Sequence, residues 1–590
     1  MRAIFFNSNN QGFHNSLPLG LLIISSYLEE KHHIKCEILD LPMDNDEVKK
    51  AIGNLNNNNL LFVGFSTMCN TFPKTLYLAS QIKKKFNNIP IVFGGPQASM
   101  LPRQIIEHYN FVDIIVVGEA ENLLDKLILS IKASRAIESI GLIYNPHFGI
   151  NQIKNNNPQI VNTADMDLLP EINYNIYPNI NDIDEFEIET GRGCPYKCTY
   201  CSATKFYQNN YRLKSINKLV SEIINITKQY NTKVFSLMHD NFTYDKRYIK
   251  KFCNSLIDSN LNIEWACSTR ADCVDKNILE LMFRAGCKNI FFGIESGSDY
   301  IQKIIQKNLV IKDAIEMINY ANLIGIKPTV SFIVGFPQER SEDLIKTINL
   351  FLIFRSTRPR FKGIQIHMLS PMSKTELTNK YFSEIKYDGF LSDFSSVRNL
   401  TEWEEKEIKN FPEIFSSYYY FPNKNISRQT YILLYWILFY SNRFDNFFRL
   451  YYLTLEEGAA CLLFDWFSKI SIHIKDTSHI KIDESTVPLV ADYLKNFVES
   501  NLSDNEIKFK LLDVIKFDLW LNYYCRVDNT ECFLSKYNYT AEDSEDYLLS
   551  LKQDEGLYAY YFNPQNNELK SIKLFLTESN SNNKKRAKIF

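Results

Sequence analysis

Short, β-rich, almost wholly apolar runs alternate with amphipathic helical stretches twice along this chain, and few folds accommodate that pattern. "RAIFFN", "KCEILD", "LLFVGFS", "PIVFGG" and "VDIIVVG" form the first series, separated by "LGLLIISSYLEEKH", "FPKTLYLASQIKKKF" and "ENLLDKLILSIKAS". Strands that are apolar on both faces need cover on both sides, which a parallel sheet with helices packed on each face provides. The series predicts an α/β, doubly wound, Rossmann-like domain over residues 1–140. Such domains take ligands at the carboxyl ends of their strands. Here those ends carry Ser66, Thr67, Gly94, Gly95, Pro96, Gly118 and Glu119, whose bland alternative is ordinary turn chemistry.

Residues 141–183, rich in Asn and Pro, read as a surface linker. The alternation then resumes over 184–390 in "EFEIETG", "KVFSLMH", "NIEWACS", "NIFFGIES", "TVSFIVGFP" and "GIQIHMLS". Six βα units in series predict a partial (β/α)6 parallel barrel, with its chemistry at the C-terminal mouth. Residues 391–575 read as mainly helical and aromatic-rich, and 576–590 as a solvated polar tail. A chain of 590 residues exceeds what one hydrophobic core organises, so several domains are expected.

Sixty-six Lys and Arg stand against 68 Asp and Glu, so no global field draws the chain to nucleic acid or to an anionic membrane. The most apolar run, "YILLYWILFY", is ten residues long. That is about half of the ~20 needed to span a bilayer, and it reads as a buried helix. The N-terminus "MRAIFFNSNNQGF" does not have the form of a secretory signal. Twelve cysteines in such a chain are then expected as reduced thiols in the cytoplasm.

Three of the twelve, Cys194, Cys198 and Cys201, fall within eight residues of "GRGCPYKCTYC". They follow the expected strand "EFEIETG" directly, on the loop where a barrel places its chemistry. Structural zinc takes four protein ligands at short spacing. The next candidates downstream, His239 and Cys253, are far along the chain, so zinc is disfavoured. A [4Fe-4S] cluster on three thiolates leaves one iron open to a small ligand while it supplies an electron. Cys267, Cys273 and Cys287, like Cys253, lie in helical or strand patterns and read as small core residues.

C-x3-C-x2-C with the aromatic Tyr200 before the third Cys resembles the signature of radical S-adenosylmethionine (SAM) enzymes. The preceding domain, with "LPLGLLIISSYLEE", "VFGGPQAS" and "VVGEAEN", is similar to the cobalamin-binding domain that commonly precedes this core. The resemblance covers roughly residues 1 to 380. It implies that Cys194, Cys198 and Cys201 ligate three irons of a [4Fe-4S] cluster while SAM chelates the fourth. Reductive cleavage would then yield methionine and a 5'-deoxyadenosyl radical. It also implies a SAM site lined by residues past the barrel strands. Where the family often has Gly-Gly-Glu this chain has "SLMHDNF", offering His239, Asp240 and Asn241. Arg270 in "CSTRAD" and Glu295 in "GIES" resemble polar residues beside SAM, and Gly335 in "IVGFP" resembles the segment against adenine. Ion pairing would explain Arg270 and Glu295 equally well, and helix capping would explain His239 and Asp240.

The D-x-H-x-x-G motif that places a histidine beneath cobalt is absent, and the related "GGPHA" pattern has Gln97 at the His position. His14, His32, His33 and His108 lack that context. Many relatives bind the corrin without such a ligand, so cobalamin remains an implied cofactor beside the cluster and SAM. The reading is a cobalamin-dependent radical SAM methyltransferase acting on an unactivated carbon of a small molecule or peptide. It would be reduced by a donor such as flavodoxin or ferredoxin. The alternatives are radical cyclisation, rearrangement or epimerisation, with or without cobalamin, and, more remotely, a non-catalytic zinc-stapled binding protein. A second cluster is not expected, since Cys36 and Cys69 stand apart and the C-terminal third has only Cys461, Cys525 and Cys532.

Overall fold

The computed structural model describes residues 1–8, 16–42, 44–55, 58–146, 159–163, 165–178, 180–390, 400–456, 458–472 and 484–519, together with four later strands. His14, Cys525 and Cys532 lie outside the described residues. Two compact units are present. One comprises 1–293, 302–328 and 369–422, and the other 294–301, 329–368 and 423–590.

The first unit begins with strands β1 (Arg2–Asn7), β2 (Lys35–Asp40), β3 (Leu60–Ser66), β4 (Ile91–Gly94), β5 (Ile114–Val116) and β6 (Leu142–Tyr144). Their order is β2-β1-β3-β4-β5-β6. The first five pair in parallel and β6 runs antiparallel to β5. Ala3, Ile4, Phe5 and Phe6 are all buried, as a strand covered on both faces requires. The winding reverses between β1 and β3, the switch point at which such sheets open a crevice.

β6 falls in the stretch expected as a linker. Leu142 and Tyr144 are buried, and the strand covers the edge that β5 would otherwise leave unpaired. Val161, also from that stretch, bridges to Gly118, and its carbonyl accepts the Glu119 N–H at 2.7 Å. Residues 147–158 lie outside the described residues.

Strands β7 (Phe186–Glu189), β8 (Gly191–Arg192), β9 (Arg212–Leu213), β10 (Val234–Met238), β11 (Glu264–Thr269) and β12 (Cys287–Glu295) follow. β7, β10, β11 and β12 pair in parallel, while β8 and β9 form a short antiparallel ladder. The intervening helices Lys246–Asp258 and Lys276–Arg284 start on Asp245 and Asp275, whose carboxylates accept first-turn N–H groups. In the second unit β13 (Lys327–Val334) and β14 (Gly363–Met368) pair in parallel. All six strands expected of the barrel series are present.

The helix Glu402–Asn410, though from the region expected as a separate helical part, packs within the first unit. Its Glu404 lies 3.0 Å from Lys74 Nζ with both side chains buried, Tyr109 donates to Glu407 at 2.9 Å, and Gln97 Nε2 donates to the Ile414 carbonyl at 2.7 Å. Gln97 therefore serves the chain's own packing.

The second unit continues with helices Arg428–Phe439, Asp445–Leu455, Gly458–Ser471, Val487–Asn501 and Asn505–Leu519. "YILLYWILFY" lies in the first of these, buried from Tyr431 to Leu438. Among the described residues no helix is long and apolar enough to cross a membrane. Beyond them an antiparallel sheet replaces the expected helix and reaches into the expected tail. It consists of β15 (Phe533–Ser535), β16 (Leu557–Asn563), β17 (Glu568–Thr577) and β18 (Arg586–Lys588). Ile572, Leu574 and Leu576, apolar at every second position with Ser571 and Lys573 between or before them, are the sequence signal for it.

Candidate functional site

The β8–β9 ladder shapes the cysteine hairpin, pairing Gly191 with Leu213 and Arg192 with Arg212. Gly193 has φ +84°, and a Cβ there would strike the Asn210 backbone, so this turn requires glycine. Its N–H donates to Asp240 Oδ2 at 3.2 Å. Further on, the Thr199 N–H donates to the Ile305 carbonyl at 3.0 Å and the Thr199 carbonyl accepts the Leu377 N–H at 2.9 Å. The loop is thereby held from both sides.

Cys194, Cys198 and Cys201 are half-buried. Burial pushes the Cys194 thiol up to about 12, with negative charge on Asp240, Cys201 and Cys198 adding to the rise. Burial likewise raises Cys201, where N–H groups of Thr204 and Ala203 oppose the rise and Cys198 adds to it. Cys194 and Cys201 are thus both made harder to ionise by neighbouring sulfur, which a cationic centre among the sulfurs would reverse, since a bound metal deprotonates its thiol ligands. Among the described residues no three His, Cys, Asp or Glu side chains crowd onto one ion position, whereas a cubane takes its thiolates at separate corners. Cys273 is engaged elsewhere, 3.4 Å from both Tyr196 Oη and Asn241 Nδ2. The residues present fit a three-thiolate cluster.

Around the hairpin, Arg270 is buried, pairs with Asp272 at 2.7 Å, donates to the Lys307 carbonyl at 2.7 Å and lies over the Tyr196 ring at 3.7 Å. Its Nη1 is 4.0 Å from Cys198 Sγ. The ion pair anticipated for Arg270 exists, and it braces the cysteine loop. Asp240 does not cap the following helix; Asp245 does, accepting from Arg247 and Tyr248 N–H groups at 2.9 and 3.2 Å. His239 accepts the Asn241 N–H at Nδ1, and burial lowers it to about 4, so its ring is neutral. Tyr200 is half-buried.

Glu295 and Gly335 belong to the second unit, at the carboxyl ends of β12 and β13. Glu295 is buried with φ +65°, a left-handed conformation that costs a non-glycine residue about 1–3 kcal/mol and is characteristic of functional sites. The Gly335 N–H donates at 3.0 Å to Glu339, whose carboxyl also accepts from Tyr431 Oη at 2.8 Å. Burial pushes Glu339 up to about 7. Glu339 and Tyr431 were not legible in the sequence as partners, being far apart along the chain.

A cavity of about 280 Å3 lies in the first unit against β1, β3, β4 and β5. Ser66, Gly94, Gly95, Pro96, Gly118 and Glu119 line it. Thr67 does not. It is fully buried, its Oγ1 donating to the Gly94 carbonyl at 2.7 Å and accepting the Ala98 N–H at 2.9 Å, so it fixes the turn beneath. A Cβ on Gly20, which also lines the cavity, would meet nothing within 4 Å. Gly20 therefore borders open space at the cavity, leaving room beside it for a bulky group such as a corrin.

One wall of the cavity is a buried charge network. Arg192 reaches Glu119 at 3.0 Å, Glu121 at 2.7 Å and Glu189 at 2.7 Å, and Arg212 reaches Glu119 at 2.6 Å. Arg212 also donates to the Thr163 carbonyl. Burial alone would raise Glu119, but Arg212 and Arg192 outweigh it and hold the carboxyl below its ordinary 4.5. Arg192 stands two residues before Cys194, so one guanidinium joins the crevice to the cysteine hairpin. Of this network only Glu119 is suggested by position in the sequence.

Residues 188–351 match the family model of the radical SAM superfamily, and residues 14–128 match that of the B12 binding domain. The chain thus carries a radical SAM domain preceded by a B12-binding domain. An uncharacterized methyltransferase of Pyrococcus horikoshii is 26% identical over 342 residues, covering 56% of this chain and 72% of the relative. An anaerobic magnesium-protoporphyrin IX monomethyl ester cyclase of Synechocystis is 24% identical over 356 residues, covering 57% and 68%. In fold, the chain is similar to the cobalamin-dependent SAM radical enzyme OxsB solved with aqua-cobalamin and SAM. That likeness has a TM-score of 0.56 at 17% identity and covers 93% of this chain and 82% of the other.

Proposed function

We propose that this protein is a cobalamin-dependent radical SAM methyltransferase acting on an unactivated carbon of a small molecule or peptide. The observation that carries the reading is that one compact unit holds both a three-thiol hairpin and a glycine-lined cavity, joined through Arg192. Cys194, Cys198 and Cys201 would hold three irons of a [4Fe-4S] cluster, leaving the fourth for the amino and carboxylate groups of SAM. Bound together, cluster and SAM supply a 5'-deoxyadenosyl radical, and cobalamin in the crevice supplies a methyl carrier. The chain's own work is positional. Gly193 and Asp240 fix the turn into the first cysteine, Arg270 braces the loop through Tyr196, and Tyr200 in the same unit is a further candidate for lining SAM. Exclusion of water and oxygen protects the radical.

Among the described residues that line the cavity there is no histidine, and those present would hold a corrin by shape and by its periphery. Gly20→Leu would place a side chain in the open space that Gly20 borders. We expect it to weaken cobalamin binding about 5- to 150-fold by absorbance titration, an overpacking cost of about 1–3 kcal/mol. The cofactor-free protein should melt as before or slightly higher, because glycine is a poor helix former.

A flavodoxin- or ferredoxin-type donor in the cytoplasm would supply the electron. The deciding experiment is anaerobic reconstitution to about four irons per chain, then incubation with methyl-labelled SAM and a metabolite or peptide library. The expected result is 5'-deoxyadenosine together with a product heavier by one labelled methyl. The cyclase among the relatives favours a second reading, and ring closure without label would establish it. Colourless protein carrying zinc and forming no nucleoside would overturn both.

A further inference from the structure

The crevice, taken as a corrin site under the reading above, also carries information about which corrinoids it accepts. Its polar wall includes Glu119, Glu121, Glu189 and Arg192. Arg192 and Arg212 bring two positive charges to three carboxylates, Glu119, Glu121 and Glu189, so the wall keeps one negative charge in excess. Glu121 is the unbalanced member. Its Oε1 is bound by Arg192 Nη2 at 2.7 Å, whereas its Oε2 is buried with no hydrogen-bond partner, and the side chain is only 9% exposed. A buried acceptor left unmet is costly, more so when charged, and Glu121 is among the residues that line the cavity.

The rim of a corrin bears primary amides, and each presents two N–H donors. Hydrolysis of one amide to a carboxylate replaces those donors with acceptors and adds a negative charge. We propose that Glu121 accepts a hydrogen bond from a peripheral corrin amide, and that the anionic wall selects amidated corrinoids over their carboxylate counterparts. Selection then comes from a repulsive element as much as from an attractive one. Glu121 thereby joins the ligand to Arg192, and through Arg192 to the strand that leads into Cys194.

The test is absorbance titration of the cofactor-free protein with hydroxocobalamin and with the cobalamin monocarboxylic acids, each lacking one peripheral amide. At least one acid should bind the parent about 10- to 100-fold more weakly than hydroxocobalamin, the range of a charge-assisted hydrogen bond. Glu121→Gln keeps the side chain's size and can still accept from Arg192, but turns N–H donors toward the ligand. It should weaken hydroxocobalamin binding and shrink or reverse the preference against that same acid, while the cofactor-free variant melts as the parent does. Equal binding of every acid and hydroxocobalamin by the parent would overturn the inference whether or not the variant folds. So would a variant that binds hydroxocobalamin as tightly as the parent. A parent that binds no corrinoid at all would instead overturn the reading of the crevice, and the inference with it.

Discussion

Cys198→Ala should yield a protein that folds, takes up little iron on anaerobic reconstitution and forms no 5'-deoxyadenosine from SAM. With Cys198 gone, Cys194 and Cys201 remain as two thiols. Burial pushes Cys194 up to about 12 and raises Cys201 too, so neither ionises readily without the metal. A cluster resting on two protein ligands loses the geometry that leaves a single open iron. Arg270 would lose the sulfur 4.0 Å from its Nη1 but keep Asp272, the Lys307 carbonyl and the Tyr196 ring, so the surrounding loop should hold. Iron analysis and nucleoside chromatography read the result. A Cys198→Ala protein with a full cluster and undiminished nucleoside would show that the hairpin is not the cluster site.

Arg192→Gln is expected to destabilise the first unit by about 3–5 kcal/mol, the cost of leaving buried charges without their partner. Glu121 and Glu189 would lose the guanidinium that binds them, and Glu119 would keep Arg212 alone. Arg192→Lys should rescue little, because an ammonium cannot reproduce the fixed fork by which one guanidinium meets three carboxylates. The dependence on pH follows from Glu119. Its folded value lies below 4.5, so its ion pairs contribute fully above that pH, and the contribution is lost as pH falls through the lower folded value. The stability gap between parent and variant should therefore be full at neutral pH and narrow as pH falls below 4.5. Denaturant melts at a series of pH values measure this. A variant as stable as the parent at neutral pH would rule out the network as a support of the crevice.

Some of this site is local along the chain and some is not. The cysteine spacing, the glycines around it and the strand leading into it are neighbours in sequence, and spacing alone brings Cys194, Cys198 and Cys201 into one loop. Thr67 shows the limit of such reading. It stands at a strand end like Ser66, but its hydroxyl turns inward to the Gly94 carbonyl and the Ala98 N–H, whereas Ser66 lines the cavity. The difference follows from side-chain direction within a tight turn, which composition does not encode. The returning helix Glu402–Asn410 and the strand β6 were likewise illegible, because each is placed by packing against distant residues rather than by its own periodicity.

By itself the amino-acid order determined the alternating strands and helices, and hence both parallel sheets, because burial on two faces leaves a periodic trace. It determined the three-thiol hairpin too, because Cys194, Cys198 and Cys201 are close neighbours along one loop. Only the tertiary structure decided that Arg192 links Glu119, Glu121 and Glu189, that one oxygen of Glu121 is left without a donor, and that Gly20 borders open space. Charge balance and empty volume are sums over residues brought together from separate segments, and no single segment contains them.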